Sequence, residues 1–84
     1  MLISLLIPVW FHHAENEAQI KADVKNLQTE AVQKFGIRNY SKAIQIFTEA
    51  LNLLSAIYPQ NHIECVKIKR SIEACQKKQA AAGG

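Results

Sequence analysis

Apolar residues recur along this chain at helical intervals, with polar residues filling the gaps. Ile20, Val24, Leu27, Ala31 and Phe35 follow at steps of four, three, four and four, while Lys21, Asp23, Lys25, Gln28 and Gln33 take the other side. That spacing predicts an amphipathic helix from about Ala14 to Phe35. Gly36 is then placed as the residue just past the helix end, where a positive φ costs glycine little. Asn39 offers an N-cap for a second helix, expected from Tyr40 to Tyr58 and stopped by Pro59. Ala43, Phe47, Ala50, Leu54 and Ile57 form its main stripe, and Ile44, Leu51, Ile46 and Leu53 add apolar surface on other sides. A helix apolar over so wide an arc is touched by two neighbours or offered to a partner. Asn61 with Glu64 three residues later reads as a capping-box variant that opens a third helix. There Cys65, Ile68, Ile72 and Cys75 fall within an arc of about 80°, and Lys67, Arg70, Lys77 and Lys78 within a separate arc of about 100°. Residues 80–84 read as a small-residue, disordered tail. Sustained alternation and hairpin turn pairs are absent, so no strand is expected.

The first eleven residues break this pattern. Met1–Phe11 carries no charge, and only Ser4 and Pro8 are not apolar. It resembles a signal-peptide core, but lacks a basic start and a clean small-residue cleavage site. It is too short to span a bilayer, and Pro8 interrupts it. Residues 1–13 therefore read as an apolar arm that packs onto this domain or a partner, with Leu5, Trp10 and Phe11 as contact residues. The alternative places Trp10 and Phe11 at a membrane surface. Packing is favoured, because the arm has no basic residue to attract anionic lipid. His13 and Glu17 stand four apart, but two ligands do not make a metal site, and no metal is expected.

Size and composition narrow the class. The chain has 84 residues, 49% of them apolar. That allows one domain, too apolar to be disordered and small enough to gain from a partner. Through residue 61, Lys21, Lys25, Lys34, Arg38 and Lys42 balance Glu15, Glu17, Asp23, Glu30 and Glu49. The net charge of +3 therefore sits entirely on the last segment. Cys65 and Cys75 stand about 15 Å apart on one helix, beyond disulfide reach. They read as reduced core residues of an intracellular, reducing compartment, cytoplasmic or membrane-associated.

The stretch from Leu27 to Leu53 resembles a tetratricopeptide repeat, a helix–turn–helix unit. Leu27 and Ala31 match the large and small residues of its first helix. Tyr40, Ala43, Phe47 and Ala50 match the aromatic and small positions of its second, with Ile44, Leu51 and Leu53 agreeing around them. Residues 58–64 resemble the inter-repeat turn of kinesin-light-chain-like repeats. The resemblance implies an all-α fold: an antiparallel hairpin, a third helix that caps it, and a three-helix domain over residues 14–79. Three departures stand out. Arg38 occupies the turn glycine, Lys34 the first-helix aromatic (Phe35 follows it), and Ser55 the closing proline, which makes the second helix about a turn longer than the repeat's. Gln28 and Val32 occupy the positions with which chaperone-binding members hold a C-terminal carboxylate, so that ligand is not expected. The three-helix domain of microtubule-interacting and trafficking proteins is also similar, with Ser71-Ile72-Glu73-Ala74 a distant echo of its third helix.

No catalytic constellation can be assembled. His12 and His13 lie in the arm, His62 at a helix start, and the lone aspartate, Asp23, on a polar face. Phosphate-cradling glycine loops are absent, and no cofactor is expected. The basic stripe has no aromatic residue among its charges, so nucleic acid is not an expected partner. The resulting expectation is a non-catalytic protein-binding module, a small adaptor or accessory subunit of a larger complex. Its contact residues would be Leu5, Trp10, Phe11, Ile46 and Leu53, with a basic face of Lys67, Arg70, Lys77 and Lys78. The alternatives are a trafficking-type domain binding amphipathic helices and a membrane-surface recruitment module.

Overall fold

The structure, a computed structural model, describes residues 9–83 of the backbone and the side chains of residues 17–82. Three helices follow in order: α1 (Val9–Gly36), α2 (Tyr40–Leu54) and α3 (Ile63–Gly83). Among the described residues there is no strand, and the fold is all-α. α2 packs against both other helices, whereas α1 and α3 scarcely approach each other. The result is a thin slab of 57 × 27 × 15 Å with α2 in the middle. At ~1.5 Å per residue α1 is about 42 Å long and α2 about 22 Å, so the leading turns of α1 run past the end of its partner.

The apolar stripes read from the sequence face inward. Val24 and Ala31 of α1, Ala43, Phe47, Ala50 and Leu54 of α2, and Cys65, Ile68 and Cys75 of α3 are buried in one core. The widely apolar α2 is the helix with two neighbours. Among the described residues no polar or charged residue is buried, so the core rests on apolar burial and close packing.

Several boundaries differ from expectation. α1 begins at Val9 and not at Ala14, so Trp10 and Phe11 belong to a helix and not to an extended arm. Their side chains, Leu5 and residues 1–8 lie outside the described residues. α2 stops at Leu54, a turn earlier than expected. Ala56 and Ile57 instead donate their N–H groups to Leu53 and Leu54 at 3.2 and 3.0 Å. Bonds of this i→i−3 kind tighten a helix end and release the chain toward Pro59. α3 continues through the expected tail to Gly83. Ala80, Ala81 and Ala82 have the highest intrinsic helix propensity, and Gln79 Nε2 donates to Ser41 Oγ at 2.6 Å, tying this end to α2.

The α1–α2 turn places its left-handed residue elsewhere than expected. Arg38 has φ 65°, and no described glycine has a positive φ. Arg38 N–H donates to the Phe35 carbonyl at 3.0 Å and Asn39 N–H to that of Lys34 at 2.8 Å. These two bonds make a Schellman motif with Arg38 at C′, the position glycine usually takes. Gly36 is the last helical residue, and a Cβ built on it meets nothing within 4 Å. The glycine is thus two positions from where the backbone would use it. Arg38→Gly removes the left-handed penalty and Gly36→Ala restores helix propensity. Each is expected to raise stability by about 0.5–1 kcal/mol in urea unfolding. A loss of stability in Arg38→Gly would contradict the turn.

Asn39 caps α2 as expected, its Oδ1 accepting from Lys42 N–H at 3.3 Å. At α3 the cap is His62 and not Asn61. His62 Nδ1 accepts from Glu64 N–H at 3.1 Å, and its carbonyl accepts from Val66 N–H at 3.0 Å. The ring nitrogen takes the place of the usual cap oxygen on the second helical N–H.

Candidate partner-binding cleft

Because α1 and α3 flank α2 without closing on each other, the gap between them opens as clefts floored by α2. The first has a volume of 180 Å³ and is lined by Val32 and Phe35 of α1, Phe47 of α2, and Ser71, Ala74 and Cys75 of α3. Its lining is almost wholly apolar. Val32 is 59% exposed, among the most exposed large apolar residues described. Phe35 packs edge-on against Tyr40, with ring centroids 5.4 Å apart, which holds the wall of the cleft at the hairpin turn.

A second cleft of 370 Å³ opens between the same helices at the other end. Lys21, Val24, Lys25 and Gln28 of α1 face Leu54, Tyr58, His62 and Glu64 across it. The Tyr58 and His62 rings are stacked at 3.7 Å with an interplanar angle of 1°. Lys21 Nζ lies 5.8 Å from the Tyr58 centroid. The phenol of Tyr58 first, and the carboxylate of Glu17 second, hold the Lys21 ammonium above the usual lysine pKa. This stack closes the open end of the α2–α3 loop against α1.

The basic residues Lys67, Arg70, Lys77 and Lys78 are all exposed on one face of α3. Lys67 pairs with Glu64 at 3.5 Å, and Lys21 with Glu17 at 3.4 Å. Pairs this exposed contribute little to stability.

Two expected contact residues of α2 separate in the structure. Ile46 is 4% exposed and belongs to the core, which corrects its reading as partner surface. Leu53 is half-buried and lines a third cleft on the back of the hairpin with Asp23, Asn26, Leu27 and Glu49. Val32, noted from the sequence only as unable to hold a carboxylate, was not expected as an apolar contact residue. Its signal was its position one step off the α1 stripe, immediately after Ala31. An apolar side chain there turns away from α2 and toward the gap.

Cys65 and Cys75 are both free and buried. Desolvation by burial pushes the Cys75 thiol above its ordinary pKa, which favours the unreactive protonated form. Among the described residues no three metal-ligating side chains come together, and no helix is long and apolar enough to cross a membrane. Comparison of the chain with protein-family models, curated proteins and solved structures finds no match.

Proposed function

We propose that this chain is a non-catalytic protein–protein interaction module, a small tetratricopeptide-like adaptor or accessory subunit of a larger assembly. The observation that carries the reading is the open apolar cleft between α1 and α3, with Val32 59% exposed at its edge. A monomer normally covers such a gap with another element, and exposed apolar surface rimmed by polar residues marks interaction sites. Three local features support the repeat-like reading. Arg38 adopts the left-handed conformation at the turn position where the repeat carries glycine. α2 ends at Leu54, beside Ser55, which stands at the repeat's closing position. Ala31, Ala43 and Ala50 are buried where the helices meet. The two unpaired thiols support a reducing compartment.

The test compares proteins co-purifying with the full chain and with its Val32→Glu variant. Val32 is mostly exposed, so the variant should keep the wild-type melting temperature within a few degrees. It should lose the specific partner, because a carboxylate at the cleft edge must be desolvated on docking. An unchanged partner set with an intact fold would remove the cleft from the function.

A further inference from the structure

We infer that the occupant of the α1–α3 cleft is an acidic amphipathic helix from a partner protein. This inference rests on the interaction-module reading and adds the chemistry of the partner. Two observations carry it.

The first is charge. The cleft wall on α3 is made by Ser71, Ala74 and Cys75. Lys67 lies four residues before Ser71, Arg70 four before Ala74, and Lys78 four after Ala74. At that spacing they are surface neighbours of the wall, one turn away on the same side of the helix. All three are exposed. On α1, Lys21 and Lys25 line the second cleft, toward the other end of the same gap. The anions nearby are Glu17 and Glu64, each already within reach of one lysine, and Glu73, exposed on α3 three residues after Arg70 and four before Lys77, so the five cations Lys21, Lys25, Lys67, Arg70 and Lys78 outnumber the three carboxylates. The uncompensated charge around the cleft is therefore positive. On the back of the hairpin the sign reverses: Asp23 and Glu49 flank Leu27 and Leu53. An occupant with apolar residues on one side and carboxylates beside them is complementary to the front and repelled by the back.

The second observation is shape. The apolar floor is Phe47, which is only 5% exposed at the bottom of the cleft. A flat lipid surface cannot reach a side chain so recessed, whereas a protruding side chain of a partner can. This concavity favours a protein occupant over a membrane. The length suits a helix as well: Lys67 to Lys78 spans about 16 Å, roughly three helical turns.

The experiment uses the full chain and two synthetic amphipathic peptides of about 14 residues, with the same leucine face. One carries glutamate on its flanks and the other lysine. Fluorescence anisotropy at low salt should show the glutamate peptide binding at least about tenfold tighter than the lysine peptide. That difference should shrink as salt shortens the screening length toward ~3 Å near 1 M. Lys67→Glu with Lys78→Glu should invert the preference. Lys67→Gln with Lys78→Gln should abolish it, and serves where the reversed pair folds poorly. Val32→Glu should weaken both peptides.

Equal affinity for the two peptides, with loss in Val32→Glu, would overturn the acidic partner and leave the cleft reading intact. Binding to anionic vesicles without binding to either peptide would overturn the inference in favour of a membrane. Concentration-dependent dimerisation abolished by Val32→Glu, with no peptide bound, would assign the cleft to a second copy and likewise overturn it. Binding of neither peptide, with the chain monomeric and indifferent to vesicles, would overturn both the inference and the cleft reading.

Discussion

Phe47→Ala is expected to cost about 3–4 kcal/mol of stability, read as a lower urea midpoint with a nearly unchanged slope. Phe47 lies between both neighbours of α2, lining the cleft with Val32 and Phe35 of α1 on one side and Cys75 of α3 on the other. It is 5% exposed, so truncation forfeits most of a ring's burial together with its contacts on two helices. The expected loss lies toward the lower part of the range for buried aromatics. The adjacent cleft is open, and water can enter the space vacated. A chain of this length carries about 4–12 kcal/mol in all, and the melting temperature should fall by roughly 12–32 °C. Gln45→Ala, on the outward face of α2, should shift stability by less than about 0.5 kcal/mol. A Phe47→Ala loss below about 1 kcal/mol would mean that α3 does not pack where the structure places it.

Ala50→Leu should cost about 2–3 kcal/mol, for the opposite reason. Ala31, Ala43 and Ala50 are each 0% exposed. Their shortness sets how closely the helices approach. Three extra carbons at position 50 have no space in the interior. They must force rotamers out of their wells or push α2 from its neighbours, and the slab has no second layer to absorb the shift. Ala74→Leu provides the control. Ala74 lines the cleft and is exposed, so the added atoms project into open space and stability should stay within about 0.5 kcal/mol. If Ala50→Leu is as mild as Ala74→Leu, the close approach of the helices at Ala50 is wrong.

These two substitutions rest on positions that were legible from spacing alone. Phe47 and Ala50 fall on the same α2 stripe as Ala43 and Leu54, and all four are buried. The α3 division was legible as well: Cys65, Ile68 and Cys75 point inward, while Lys67, Arg70, Lys77 and Lys78 remain exposed. Periodicity says which way a side chain leaves its own helix, and that holds wherever one neighbour covers one face.

Ile46 and Leu53 mark where periodicity stops. They are seven residues apart and differ by only about 20° around α2. Ile46 is buried, whereas Leu53 is half-exposed and lines the back cleft. Their helical phase is nearly the same; their height along the hairpin is not. Ile46 lies midway along α2, whereas Leu53 is in its last turn, beside Asp23 and Leu27 of α1. A pattern that reports angle contains no information about the height at which a neighbour covers it.

The ends and caps divide in the same way. Asn39 was readable because its side chain serves its own helix. Arg38, Leu54 and His62 were not. A glycine at position 36 and a proline at position 59 are strong local signals, yet the chain turns at Arg38 and leaves α2 at Leu54. Helix packing fixes where the chain must reverse, and it holds Arg38 in a conformation that local preference disfavours. His62 is stacked on Tyr58, which gives its ring an orientation for capping that no propensity encodes.

By itself, then, the sequence determined three helices, the inward face of each, one true cap and two cysteines unable to pair. All of these follow from interactions within a turn or two of the same segment. Tertiary structure alone decided that α1 and α3 stay apart, that Ile46 is core, that Val32 is the exposed edge, and that Phe47 floors an open apolar cleft between α1 and α3. Each of these depends on the distance and angle between helices, set by how Ala31, Ala43, Ala50 and the aromatic rings pack against one another.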